Sequence, residues 1–271
     1  MIVDCHTHWG MDWEESEPGD PTRWLSVLDR HRVDKAYLYG HANIRRSDLC
    51  GRDNDNLVQM ARRFPARLLP VASGWPQLEE AGVAEVRRCV EVLGVKGLKF
   101  HPWTQGFSTS ERFLGRMCGL AGEANIPVFF HDGTPCYSLS EQIAGLARRF
   151  PGTKFVLGHS GLLWNWRSAL LASKLPNIWL CLCGPHLRAI ELLCERADEN
   201  RIVWGSDFGF GPDDQIEYRL NLFLQARVAD SLREKILGEN ALRLLEGRLE
   251  TGSRRGAGTP GPVIRQHQQV G

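Results

Sequence analysis

Eight short apolar runs recur along this chain, and nearly every one is followed by a stretch with apolar residues at helical spacing. The runs are IVDCHTH (2–8), DKAYLYG (34–40), RLLPVASG (67–74), GLKFH (97–101), PVFFHDG (127–133), KFVLGHS (154–160), NIWLCLCG (177–184) and RIVWGSDFG (201–209). Continuous rather than alternating apolar character marks strands covered on both faces, as in a parallel sheet flanked by helices. Between and after them lie DPTRWLSVLDRHR, NDNLVQMARRF, VAEVRRCVEVLG, SERFLGRMCGLAGEAN, SLSEQIAGLARRF, RAIELLCERADEN, DDQIEYRLNLFLQA and SLREKILGENALRLLEG, several opening on Asp, Ser or Asn caps. QMARRFPARLLPVASG (59–74) and GLARRFPGTKFVLGHSG (145–161) repeat one helix-to-strand joint, each stopped by Arg-Arg-Phe-Pro; proline ends a helix and pushes the residue before it towards extended backbone. Eight such units within residues 1–247 fit an α/β fold of the closed (β/α)8 TIM-barrel type better than an open sheet. The remainder, 248–271, is rich in Gly, Pro, Arg and Gln without apolar periodicity, and is expected to be a flexible tail outside the chemistry.

A chain of 271 residues can bury a core of that size. Its 33 basic and 32 acidic residues leave a net charge of +1, which speaks against nucleic acid or an anionic membrane as partner. No apolar run reaches the roughly 18 residues needed to span a bilayer. The first strand begins at Ile2 with no basic and apolar leader before it, so a cytoplasmic location is expected. Eight cysteines without a regular framework are expected to stay reduced, Cys181 and Cys183 as strand residues. Homodimerisation stays open.

Catalytic groups of such barrels gather at the C-terminal ends of the strands. Those ends carry His6 and His8, Lys99 and His101, His131, His159 and Asp207. Alternation along a strand puts His6 and His8 on one face, with Asp4 below them and Cys5 turned away. Two neutral imidazoles converging on one point suit a divalent metal at about 2.0–2.1 Å from each nitrogen. Each residue alone has an ordinary alternative: a hydrogen-bonded barrel histidine for His131, a helix cap for His159, an N-cap for Asp207. A carboxylate at an apolar strand mouth nevertheless costs several kcal/mol unless it is paired or bound to metal. His31, His41, His186 and His267 lie elsewhere, carry no such signal and are expected to be surface or loop residues.

With DCHTHWG, KGLKFHP, FFHDGTP, LGHSG, WGSDFG and GENALRLL in this order between residues 2 and 245, the chain resembles the amidohydrolase superfamily. Within it, the chain is similar to the amidohydrolase-related (amidohydrolase 2) branch, which holds aminocarboxymuconate-semialdehyde decarboxylases and lactonases. The resemblance implies one divalent metal, usually zinc, held by His6, His8, His131 and Asp207. It also implies that His159 acts beside the metal-bound water as an acid/base or electrostatic group. Lys99 matches the strand-four lysine that binuclear relatives carbamylate; followed by His101-Pro102 it is expected to bind a substrate anion or a buried carboxylate such as Asp4.

Two reactions are compatible with that centre. A metal-bound water near neutral pKa attacks an ester, lactone or amide, with Asp207 taking its proton; alternatively the centre protonates a carbon and releases CO2. The His-x-His pair and the compact chain favour the hydrolase, with the decarboxylase as alternative and a metal-binding barrel without catalysis as a third reading. Trp9, Trp13, Trp75, Trp103, Trp164 and Trp166 follow strands on the expected active face, as do Arg45, Arg46 and Arg52. Aromatic walls and guanidinium forks point to a small planar or cyclic carboxylic acid as substrate, clamped by one of these arginines (Arg45 foremost) or by Lys99, with His101 beside it.

Overall fold

The structure, a computed structural model, describes residues 1–10 and 19–246; Trp13 and the expected tail 248–271 lie outside these residues. Eight parallel strands follow one another in chain order: β1 (Val3–His8), β2 (Lys35–Tyr39), β3 (Leu68–Ala72), β4 (Gly97–Phe100), β5 (Val128–Phe130), β6 (Phe155–Leu157), β7 (Ile178–Cys181) and β8 (Ile202–Val203). The ring closes where the segment after β8 returns to β1. The Cys5 amide donates to the Trp204 carbonyl at 3.0 Å, the Asp207 amide to the His6 carbonyl at 2.8 Å and the His8 amide to the Phe208 carbonyl at 2.6 Å. This is the (β/α)8 barrel expected from the periodicity.

Two apolar layers hold it. Leu38, Leu98, Phe100, Phe130, Leu157 and Leu180 face outwards and pack beneath the helices, while Val3, Cys5, Tyr39, Val71, Phe129 and Val156 fill the interior. The end opposite the candidate site is stopped by the helix Asn240–Glu246: Ala241 and Leu244 join the interior cluster, Tyr37 Oη donates to the Ala241 carbonyl at 2.9 Å and Lys154 Nζ to the Leu244 carbonyl at 2.7 Å. Both copies of the Arg-Arg-Phe-Pro joint end helices, Cys50–Arg63 and Ser140–Arg149. The helix Trp166–Ala172 was not among the helical segments expected from periodicity. At seven residues it is too short to display that period clearly.

The strands are shorter than the apolar runs because their C-terminal ends peel out of the ladder. β1 departs from simple alternation in a way that matters for function. Its partners move from Asp4↔Ala36 to Thr7↔Leu38, three steps on β1 against two on β2, which is a β-bulge. Cys5 and His6 therefore both turn inwards, and Asp4 turns outwards rather than lying below the histidines. Its fully buried carboxylate caps the bulge and the closure together, accepting from the His6 amide (3.0 Å), the Ser206 amide (3.0 Å) and Ser206 Oγ (2.5 Å). Asp4→Ala strands two buried backbone donors, each costing about 1–3 kcal/mol. The expected loss of stability is about 2–6 kcal/mol by urea unfolding, and a change below about 1 kcal/mol would show that water replaces the carboxylate at no cost.

Candidate active site and metal centre

A cavity of about 270 Å³ opens at the C-terminal end of the barrel, and all eight residues singled out from the sequence line it. His6 and His8 stand on β1 and Lys99 on β4, while His101 and His131 directly follow β4 and β5. His159 and Asp207 lie beyond the ends of β6 and β8, and Arg45 comes from the loop after β2. Trp103 and Phe210 give the cavity two aromatic walls. Asp207 sits at φ +66°, a left-handed conformation that aspartate tolerates better than most residues. Two residues on, Gly209 is obligatory in its place: at φ +104° a side chain there would meet the His8 carbonyl oxygen at 2.1 Å.

The tautomers of the two β1 histidines follow from their partners. His6 Nδ1 lies 3.1 Å from the Gly158 carbonyl and His8 Nδ1 3.3 Å from the Gly40 carbonyl. A carbonyl only accepts, so both Nδ1 atoms carry hydrogen and both Nε2 atoms present lone pairs. Those lone pairs converge on Asp207 Oδ1, at 3.3 and 3.4 Å. Burial holds both imidazoles well below their ordinary pKa, so they are neutral at pH 7. Lys99 donates to His6 Nε2 at 3.1 Å, but His8 Nε2 and Asp207 Oδ1 still meet as two acceptors. Such an arrangement calls for a cation, and two imidazole nitrogens with one carboxylate oxygen form a donor set that suits a divalent metal. The backbone carbonyls behind the Nδ1 atoms are the outer partners that metal-binding histidines ordinarily require.

His131 stands apart from this group. It stacks on His101 with ring centres 3.8 Å apart and planes within 14°, and its edge meets His159 at 4.3 Å. Burial lowers His101, His131 and His159 as well, so all three are neutral near pH 7. Asp207 has 28% of its side chain open to the cavity. Burial of the remainder pushes its carboxyl up to about 6, opposed by the charges of Lys99 and Arg219. Lys99 is itself lowered by burial; it pairs with no Asp4 carboxylate and instead lies 5.1 Å over the Tyr39 ring.

Of the three arginines after β2, Arg45 reaches the cavity, whereas Arg46 ion-pairs with Asp48 at 2.6 Å in solvent. Among the tryptophans, Trp103 is the cavity wall, Trp75 donates to the Asn43 carbonyl, and Trp9 and Trp166 are packed in the body of the protein.

Four neighbours of the site were not legible as such in the sequence. His41, expected to be a surface or loop residue, is buried, stacks on His8 at 5.4 Å and packs against Phe210 at 4.7 Å; it follows β2 after Gly40, so that strand too ends in a histidine at the site. Phe210 itself meets the His8 ring at 4.2 Å. Asp132, fully buried, accepts from the His159 amide (2.7 Å), the Gly161 amide (2.6 Å) and Ser140 Oγ (3.1 Å), so it fixes the turn that carries His159. Cys183, expected to be a plain strand residue, touches both His6 and His159. Adjacency to His131 in the stretch HDG was the signal available for Asp132.

Solved structures share this fold, and one relative is similar in sequence. A Dictyostelium discoideum 2-amino-3-carboxymuconate-6-semialdehyde decarboxylase is 22% identical over 239 residues, which make up 73% of this chain and 66% of that protein; the chain thus spans just under two thirds of its length. A 2,6-dihydroxybenzoate decarboxylase solved with 2,6-dihydroxybenzoate superposes with a TM-score of 0.72 at 18% identity, covering 90% of this chain and 99% of that one. A dihydroxybenzoic acid decarboxylase from a Polaromonas species, solved with manganese and 2-nitroresorcinol, gives 0.71 at 17% identity over 90% and 96%. At these identities the solved structures speak for the fold. The amidohydrolase family model matches residues 3–247, and the chain belongs to the amidohydrolase family.

Proposed function

We propose that the protein is a metal-dependent decarboxylase of a small unsaturated or aromatic carboxylic acid. The observation that carries the reading is the cavity: about 270 Å³, walled by Trp103 and Phe210, with Arg45, Lys99 and the His6–His8–Asp207 donors converging on it. It falls below the roughly 300–1,000 Å³ of clefts for drug-sized ligands, so it suits one small ring with an acid group. The His-x-His pair and the compact chain are the sequence features that favour a hydrolase. The named relatives favour the decarboxylase instead.

His6, His8 and Asp207 would hold the ion, with His131 as the fourth candidate. The imidazole-rich set suits zinc; manganese is the ion of the Polaromonas enzyme. Bound there, a divalent ion supplies a Lewis acid for substrate oxygens. The chain's own residues supply the rest. Arg45 can grip a carboxylate in two-pronged fashion, and the aromatic walls fix the ring plane. The carbon bearing the carboxylate takes a proton from Asp207; the bond to the carboxylate then breaks, its electron pair returns to the ring, and CO2 departs. His159, a neutral imidazole at the same cavity, relays the proton that restores Asp207.

The test is a product assay. Zinc- or manganese-loaded protein is offered hydroxybenzoates, carboxylated phenols, unsaturated dicarboxylic acids, lactones and esters. One CO2 per substrate consumed is expected from at least one acid, and turnover confined to lactones or esters would overturn the proposal.

A further inference from the structure

Behind the catalytic face, β7 runs on to Cys183, and its thiol sits between the two histidines that matter most. Cys183 is 5% exposed. Its Sγ lies 2.8 Å from the Gly158 carbonyl, 3.3 Å from His6 Nδ1 and 3.1 Å from His159 Nδ1. At 2.8 Å the Gly158 carbonyl is the nearest of the three and can only accept, so the thiol gives its one hydrogen there rather than to a ring nitrogen. Towards the histidines the sulfur is then an acceptor. His6 Nδ1 already carries hydrogen, shared between the Gly158 carbonyl and the sulfur. For His159 the consequence is sharper, because Sγ is the partner of its Nδ1: that nitrogen must donate, which leaves Nε2 bare. Asp132 fixes the backbone of the same residue through the His159 amide at 2.7 Å. Backbone and ring are therefore held from two directions.

We infer that Cys183 is a positioning residue that holds His159 in its Nδ1–H tautomer, so that the Nε2 lone pair is the atom offered for proton transfer. The inference rests on the reading of His159 as a proton-relay group, but the tautomer itself does not depend on any reaction. Gly184 makes the arrangement sterically specific, since a side chain there would meet the His159 carbonyl oxygen at 2.3 Å and its Cβ at 2.8 Å. The strand can thus follow the His159 turn closely enough for the Cys183 thiol to reach the ring at 3.1 Å.

The experiment reads the tautomer directly. Zinc-loaded protein labelled with ¹⁵N in histidine is compared by NMR as wild type, Cys183→Ala and Cys183→Ser, with His159→Asn used to assign the resonance. Wild type is expected to show His159 with a protonated Nδ1 and an unprotonated Nε2. Cys183→Ala is expected to lose that single form and to lower kcat about 10–100-fold, the range for removing an outer hydrogen-bond partner, with KM within about twofold. Serine can donate to Gly158 and accept from Nδ1 as the thiol does, so Cys183→Ser should recover the tautomer and most of the rate. An Nε2–H tautomer in the wild type overturns the inference without recourse to any variant, and so does an undisturbed Nδ1–H form in Cys183→Ala. If His159→Asn retains full turnover, the relay role fails while the tautomer result still stands or falls on its own spectrum.

Discussion

His6→Ala and His8→Ala are each expected to empty the metal centre and to lower turnover by more than the roughly 100-fold that marks the upper end for an outer partner of a metal ligand. Each removes one of two Nε2 lone pairs that converge on Asp207 Oδ1 at 3.3 and 3.4 Å, and among the described residues the group His6, His8 and Asp207 contains no third imidazole to replace it. Elemental analysis of the purified variants is the check, with chelation of the wild type abolishing turnover and metal restoring it. His131→Ala should lose metal as well if His131 is the fourth ligand. Full occupancy in that variant would leave His131 as the stacking partner of His101 seen at 3.8 Å. Full occupancy in both the His6 and His8 variants would remove the metal centre altogether.

Asp207→Asn and His159→Ala should separate holding the metal from moving a proton. Asparagine keeps an oxygen towards His6 and His8 but cannot carry the acid proton, so the rate should fall by about 10²–10⁴, the span for a lost acid/base group. His159→Ala should retain most of the metal and lose about 10²-fold or more in rate. An empty site in His159→Ala would make His159 a ligand. It would also bring forward the group His6, His159 and Cys183, whose donor atoms lie within 4.8 Å of one another.

The barrel was legible because parallel strands buried on both faces read as unbroken apolar runs, and eight of them separated by helical patterns leave little choice of topology. The site was legible for a related reason. Polar titratable residues at the ends of such runs stand out against their surroundings, and each one from His6 to Asp207 does line the cavity. What failed were inferences that needed contacts across the fold. β8 contributes two residues to the ladder, and the run RIVWGSDFG extends well past them because its later residues serve the barrel closure and the site. The bulge in β1 reversed the facing of Asp4 and Cys5, and bulges have no mark in periodicity. Arg45 and Arg46 are neighbours of the same type, and the ion pair to Asp48 separates their roles. Cys183 reads as apolar strand until Gly158, in the extension of the neighbouring β6, is seen beside it at 2.8 Å. Among the described residues, no helix is long and apolar enough to cross a membrane.

The most direct measurement is a turnover in D2O with the acid identified by the product assay, followed by NMR of the product. Decarboxylation with proton delivery by Asp207 predicts one deuterium, at the carbon that carried the carboxylate, matched by one CO2. A product that keeps its carboxylate and gains a solvent oxygen would mean that water, not the substrate carbon, is what this centre activates.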